Sequence, residues 1–118
     1  MSYETSFLKA LALTLTLEVL VMVFVCRRYY PVFHLPQITL AGIVPTLTTL
    51  PYVWFVFPAL VHDYQIYGLV SELFALTSET FLIAILLRTG TRTGFILSFS
   101  SNMVSFTGGL MATRFDLL

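Results

Sequence analysis

Four stretches of this chain stay apolar for as long as it takes to cross a lipid bilayer, and little chain is left between them. Residues 7–26, 38–60, 67–87 and 94–112 each approach the roughly 20 apolar residues that a helix needs to span a hydrocarbon core of about 30 Å. Lipid offers no water to the backbone, so a segment of this kind must satisfy its N–H and C=O groups internally, as a helix. The expected fold is all-α: four transmembrane helices in a compact bundle, one transmembrane domain over residues 1–118, with no soluble domain. Composition agrees. Only 10% of the 118 residues are charged, against about 25% in an average soluble domain, and mean hydropathy is +0.91.

The same scarcity of polar residues excludes several functions. Formal net charge is zero and Lys9 is the only lysine, so there is no basic patch for nucleic acid. Cys26 has no second cysteine to pair with, and no Cys/His cluster has zinc spacing. Neither a Gly-rich phosphate loop, an H-E-x-x-H run nor a nucleophile–base arrangement occurs. His34 and His62 fall in loops on opposite sides of the membrane. No catalytic residue, metal or cofactor is expected, and the chain does not read as an enzyme. The first apolar segment ends "VMVFVCRR", without a small-residue cleavage site, and reads as a retained helix.

Orientation follows from the loops. Arg27 and Arg28 mark the first and Arg88 and Arg92 the third, whereas the second holds only His62 and Asp63. By the positive-inside rule, loops one and three face the cytoplasm and both termini face outward. Cys26 then belongs at the cytoplasmic interface, open to a thiol reagent from that side. Tyr29 and Tyr30 on one side, and Trp54, Tyr64 and Tyr67 on the other, suit two aromatic belts. In the second span, Pro45 and Pro51 each remove a backbone hydrogen bond and should bend the helix. The hydroxyls of Thr46, Thr48 and Thr49 are candidates to re-satisfy the freed carbonyls.

"LFALTSETFLIAIL", residues 73–86, puts Glu79 in the middle of lipid. Glu79 precedes Arg88 by nine residues, and Glu18 precedes Arg27 by nine. At 1.5 Å per residue both acids lie ~13 Å from the cytoplasmic edge, near the midplane. Asn102, ten residues past Arg92 on a helix running the other way, reaches the same depth, and Thr46 and Thr49 come close to it. These groups also share faces. Ser71, Glu72, Ala75, Ser78 and Glu79 fall within an arc of about 120° at helical periodicity. Gly94, Ser98, Ser101, Asn102, Ser105, Gly109 and Ala112 form a small and polar stripe on the fourth span. Thr39, Gly42, Thr46 and Thr49 do so on the second, and Ala10, Thr14 and Glu18 on the first.

Small residues let helices approach closely in lipid, and buried polar groups seek each other there. All four stripes should therefore turn inward, with Glu18, Glu72, Glu79, Asn102, Thr46 and Thr49 lining the bundle axis. Ser98, Ser101, Ser105 and Gly109 should serve helix packing, and Leu97, on a different face, should matter less. A charge at the bilayer centre costs about 2.5–3.5 kcal/mol even on the lenient insertion scale. No span contains a Lys or Arg at the midplane that could neutralise an acid, so the acids must be protonated, share a proton or hold a cation. "TLEVLVMVFVCR" (16–27) and "TSETFLIAILLR" (77–88) also share Thr-x-Glu with Arg nine residues on. Such a repeat would relate the two hairpins by an axis along the membrane normal.

"TLTTLPYVWFVFP" (46–58), "SELFALTSET" (71–80) and "SFSSNMVSFTGGL" (98–110) together resemble a set of small bacterial four-span membrane proteins of uncharacterised function. The matching positions are Thr49, Pro51, Trp54, Glu72, Glu79, Ser98 and Asn102. Where such sequences often carry Asn or His beside the proline, this chain has Thr46 and Leu50. The resemblance implies the four-span topology and a bacterial or archaeal plasma membrane, and it implies no activity. Two functional expectations follow. One is proton- or cation-coupled transport of a small ion or solute by an oligomer, since four short spans leave little room for a private pathway. The alternative is an accessory subunit of a larger membrane complex, which would copurify with a stoichiometric unrelated partner.

Overall fold

The computed structural model describes residues 2–115. Those residues are all-helical, and four of the rods, of 27, 26, 23 and 24 residues, are long and apolar enough to cross a membrane. Each runs a few residues past its apolar core because polar residues at the ends suit helix termini. Helix α1 (Tyr3–Tyr29) is capped by Ser2, whose hydroxyl accepts the N–H of Thr5 at 3.1 Å. Glu4 in its first turn and Arg27 and Arg28 in its last complement the helix dipole. Helix α4 (Tyr64–Leu86) is capped by the Asp63 carboxylate, which accepts from Gln65 and Ile66 at 3.0 and 3.1 Å. It ends in a Schellman motif: Thr89 N–H donates to Ala84 and Arg88 N–H to Ile85, with Arg88 left-handed at φ 53°. Helix α5 (Thr91–Arg114) follows at once.

The second rod is composite. Helix α2 (Leu35–Pro51) passes into a π-helical turn (Tyr52–Val56) and then a short α3 (Phe57–Leu60). Proline chemistry accounts for the arrangement. In the π turn, Phe57 N–H bonds Tyr52 O, five residues back, which releases the carbonyl of Val53. Pro58 has no N–H, so the carbonyl of Trp54 loses its helical donor as well. Two tyrosines from other helices supply what is missing: Tyr67 donates to Val53 O at 2.6 Å and Tyr3 to Trp54 O at 2.5 Å. Aromatic rings flank the turn, with Tyr3 and Phe7 against Trp54 and Phe55 on one side and Phe74 against Tyr52 and Phe57 on the other. The threonines do not perform the service expected of them. Pro45 and Pro51 free the carbonyls of Ala41 and Leu47, but Thr46, Thr48 and Thr49 bond their own fourth-preceding carbonyls, Gly42, Val44 and Pro45.

The rods pack as a ring in the order α1, α2, α4, α5 and back to α1, so α1 lies diagonal to α4 and α2 to α5. Glycine sets two of the contacts. A Cβ at Gly94 would run into the carbonyl oxygen of Thr80, and one at Gly42 would stand 3.2 Å from the Cα of Val19. Gly94 holds α5 against α4 at a distance no side chain permits, and Gly42 lets α2 approach α1 closely enough that a Cβ would be tight. Gly109 has no such role: a Cβ there meets nothing, because the second half of α5 is loosely covered.

The buried faces are broader than the small-residue stripes. Ala10, Glu18, Met22 and Cys26 turn inward on α1, and Gly94, Leu97, Ser98, Ser101 and Ala112 on α5. Leu97 corrects the expectation directly. It is fully buried, since three and four residues from Gly94 and Ser101 place it on the same face. With Met22, Cys26, Ile38, Ala41, Ile83 and Leu87 it forms an apolar core that fills one half of the bundle. That half holds the C-terminal ends of α1 and α4. Cys26 is therefore a core residue with no exposed surface rather than an accessible interfacial thiol.

Candidate functional site

The other half of the bundle is not filled. Between the glutamates and the π turn lies a cavity of about 190 Å³, and Glu18, Thr46, Thr49, Glu72, Glu79 and Asn102 all line it. Thr14, Ser71, Ala75 and Ser105 complete the polar and small part of its wall, and Leu50, Val53, Trp54 and Phe106 the apolar part. Counting residues from the arginines places these groups at one depth, and the ring brings them around one space. The cavity extends from Glu18 and Glu79 toward the end at which α1 and α4 begin, while the apolar core closes the opposite direction.

Glu18 and Glu79 are each 3% exposed, on diagonal helices. Each carboxyl is met by a donor on its neighbour in the ring. The Thr46 hydroxyl donates to Glu18, with Gly42 O at 3.3 Å as its other acceptor, and it also interacts with Glu79. Asn102 holds Glu79 with its side-chain amide, Nδ2 to Oε2 at 2.6 Å. The second N–H of that amide goes to Ser98, whose carbonyl and hydroxyl stand 2.8 and 3.2 Å away. Ser98 in turn donates across to Leu76 O of α4 at 3.2 Å. Ser101 and Ser105 bond only within α5, to Leu97 O at 2.7 Å and Asn102 O at 3.2 Å. The small stripe thus divides: Ser98 and Ser101 are buried at the helix contact, and Ser105 is half-buried against the cavity.

Glu72 lines the cavity as expected, but it is not enclosed. It lies one heptad before Glu79, about 20° away around the helix, and unlike Glu79 its side chain is exposed. The cause is the spacing of α4 and α5. They touch at Gly94–Thr80 and Ser98–Leu76 and then enclose a gap between Leu76 and Leu69 on one side and Phe99 and Phe106 on the other. Glu72 sits in that gap.

Sequence reasoning also missed two groups. Trp54, expected in an interfacial belt, and Phe106, to which the sequence pattern gives no role, both wall the cavity. A signal for Trp54 did exist, because Pro58 leaves its carbonyl needing a donor from another helix. Periodicity carries no equivalent signal for Phe106. Ser71, 5% exposed, has a buried hydroxyl with no hydrogen-bond partner among the described residues.

Chemically, this is an acid cavity with hydroxyl and amide donors and no Lys, Arg or His in its wall. Two buried carboxyls with a hydroxyl between them can share a proton or give it up to an entering cation. Among the described residues, no three His, Cys, Asp or Glu side chains converge as a metal site would require. No family model, curated protein or solved structure matches the chain.

Proposed function

We propose that this chain is an integral membrane protein with both termini outward, and that its acid cavity carries protons or a small cation, driving or accompanying solute movement in an oligomer. One observation carries the reading: Glu18 and Glu79 are buried on a shared cavity that has no basic residue in its wall. Intramembrane acids that face a cavity are costly to retain and commonly mark ion or substrate paths. The one-sided cavity adds support, since transport by alternating access needs a site open toward one face and closed toward the other. In the proposed orientation the space extends outward and the apolar core seals the cytoplasmic half.

Glu79→Gln tests this. The amide keeps the shape and can still accept from Asn102, but it cannot ionise. In vesicles with an entrapped pH dye, proton or cation flux should fall at least tenfold while insertion and folding stay normal. Infrared difference spectra should lose a carboxyl band present in the unmodified protein. Full flux in Glu79→Gln would overturn the proposal.

A further inference from the structure

The gap between α4 and α5 is a second cavity, of about 250 Å³, and it shares Glu72, Asn102 and Phe106 with the acid cavity. Its remaining wall is Leu69, Leu73, Leu76, Phe99 and Met103, all apolar. Most of this wall faces outward: Leu69, Leu73 and Met103 are 62%, 54% and 50% exposed. In a bilayer this groove would open sideways into the acyl chains.

Glu72 stands where the two spaces meet. It lies eight residues into α4, ~12 Å along the helix, and has no hydrogen-bond or ion-pair partner among the described residues. The buried, unpartnered Ser71 hydroxyl adjoins it on the acid-cavity side. A lipid-facing acid is costly without a counter-charge. Lys9, six residues into α1 and ~9 Å along it, lies at a similar distance from the same end of the bundle, so a second copy that sets Lys9 against Glu72 is the rival occupant. An apolar trough ending at a carboxylate, with a buried hydroxyl beside it, matches a molecule with a hydrocarbon tail and a hydrogen-bond-donating cationic head.

We propose that this groove is a lateral binding site for amphipathic primary ammonium ions, with the tail along α4 and α5 and the head at Glu72 and Ser71. The head would enter the acid cavity from the membrane and not from water. This rests on the reading of the acid cavity as a cation site and names its substrate class.

The test uses the full chain in nanodiscs of zwitterionic lipid, with labelled decylammonium as probe and empty nanodiscs as the partitioning blank. Saturable binding is expected, accompanied by a change in the emission of Trp54, the only tryptophan. Affinity should fall at least tenfold in Glu72→Gln and for butylammonium, and decanol should not compete. Met103→Trp, which fills the trough, should weaken decylammonium and leave butylammonium unchanged. Equal binding by the unmodified protein and Glu72→Gln, or none above the blank, would overturn the proposal. So would copurification of a stoichiometric chain that covers the groove with its own intramembrane Lys or Arg, or zero-length cross-linking of Lys9 in one copy to Glu72 in another. If binding fails while Glu79→Gln still abolishes flux, the lateral site is wrong and the acid cavity's role stands. Loss of both predictions removes the functional reading as well.

Discussion

At the scale of single residues, Glu72 and Glu79 have the same chemistry and almost the same direction on one helix. One is 3% exposed and held by Asn102, while the other faces outward. Burial in this bundle is decided by how far the neighbouring helix stands away, which a residue's own angle does not report. Leu97 makes the complementary point, because an angular estimate drawn around small residues left out a leucine at the centre of the core. Truncating it should matter a great deal. Leu→Ala in a soluble core costs about 2–5 kcal/mol, and in lipid the lost-packing part remains, so Leu97→Ala should cost about 1–3 kcal/mol. Unfolding in mixed micelles measures this, with Phe99→Ala, on the opposite face, as the comparison. A loss no larger than that of Phe99→Ala would remove Leu97 from the core.

At the scale of elements, two devices hold the helices. The first is glycine contact. Gly94→Ala should loosen α5 from α4, since its methyl meets the Thr80 carbonyl, while Gly109→Ala meets open space and should be neutral or slightly stabilising. Thermal unfolding of the two variants distinguishes them, and equal sensitivity would mean that the stripe acts as a whole. The second device is the tyrosine pair at the π turn. Tyr67→Phe leaves the half-buried Val53 O without its donor, a loss of about 1 kcal/mol. Tyr64→Phe, at a side chain 85% exposed, is the control. Amide exchange should accelerate around Tyr52–Phe57 in Tyr67→Phe and stay unchanged in Tyr64→Phe. Unchanged exchange in both would show that the hydroxyl is dispensable.

At the scale of the whole molecule, the ring places a packed apolar half beside a half that encloses polar space. This division lets one short bundle be rigid at one end and open at the other. It also changes how orientation must be measured, because Cys26 is sealed inside the packed half. Val32, 75% exposed in the first loop, is the better reporter. Val32→Cys should react with a membrane-impermeant maleimide in inverted vesicles and not in intact cells, with Cys26 silent in both. Labelling only from outside would reverse the proposed topology.

The sequence by itself determined the four helices and the level of their polar groups along them. Both are one-dimensional quantities: the run length of apolar residues sets the spans, and 1.5 Å per residue measured from the flanking arginines sets the level. It also indicated that Glu18, Thr46, Glu79 and Asn102 belong together, since a shared level and shared faces leave them few other polar partners in so apolar a bundle. Only the tertiary structure decided which helices are diagonal, where α4 and α5 separate, and that tyrosines rather than threonines satisfy the carbonyls around the prolines. Those outcomes depend on distances between helices, which follow from the closest contacts at Gly94, Gly42 and Ser98 acting together. No window of sequence contains both sides of such a contact, so the position of Glu72 at a lateral opening and of Leu97 in the core became visible only once the ring was closed.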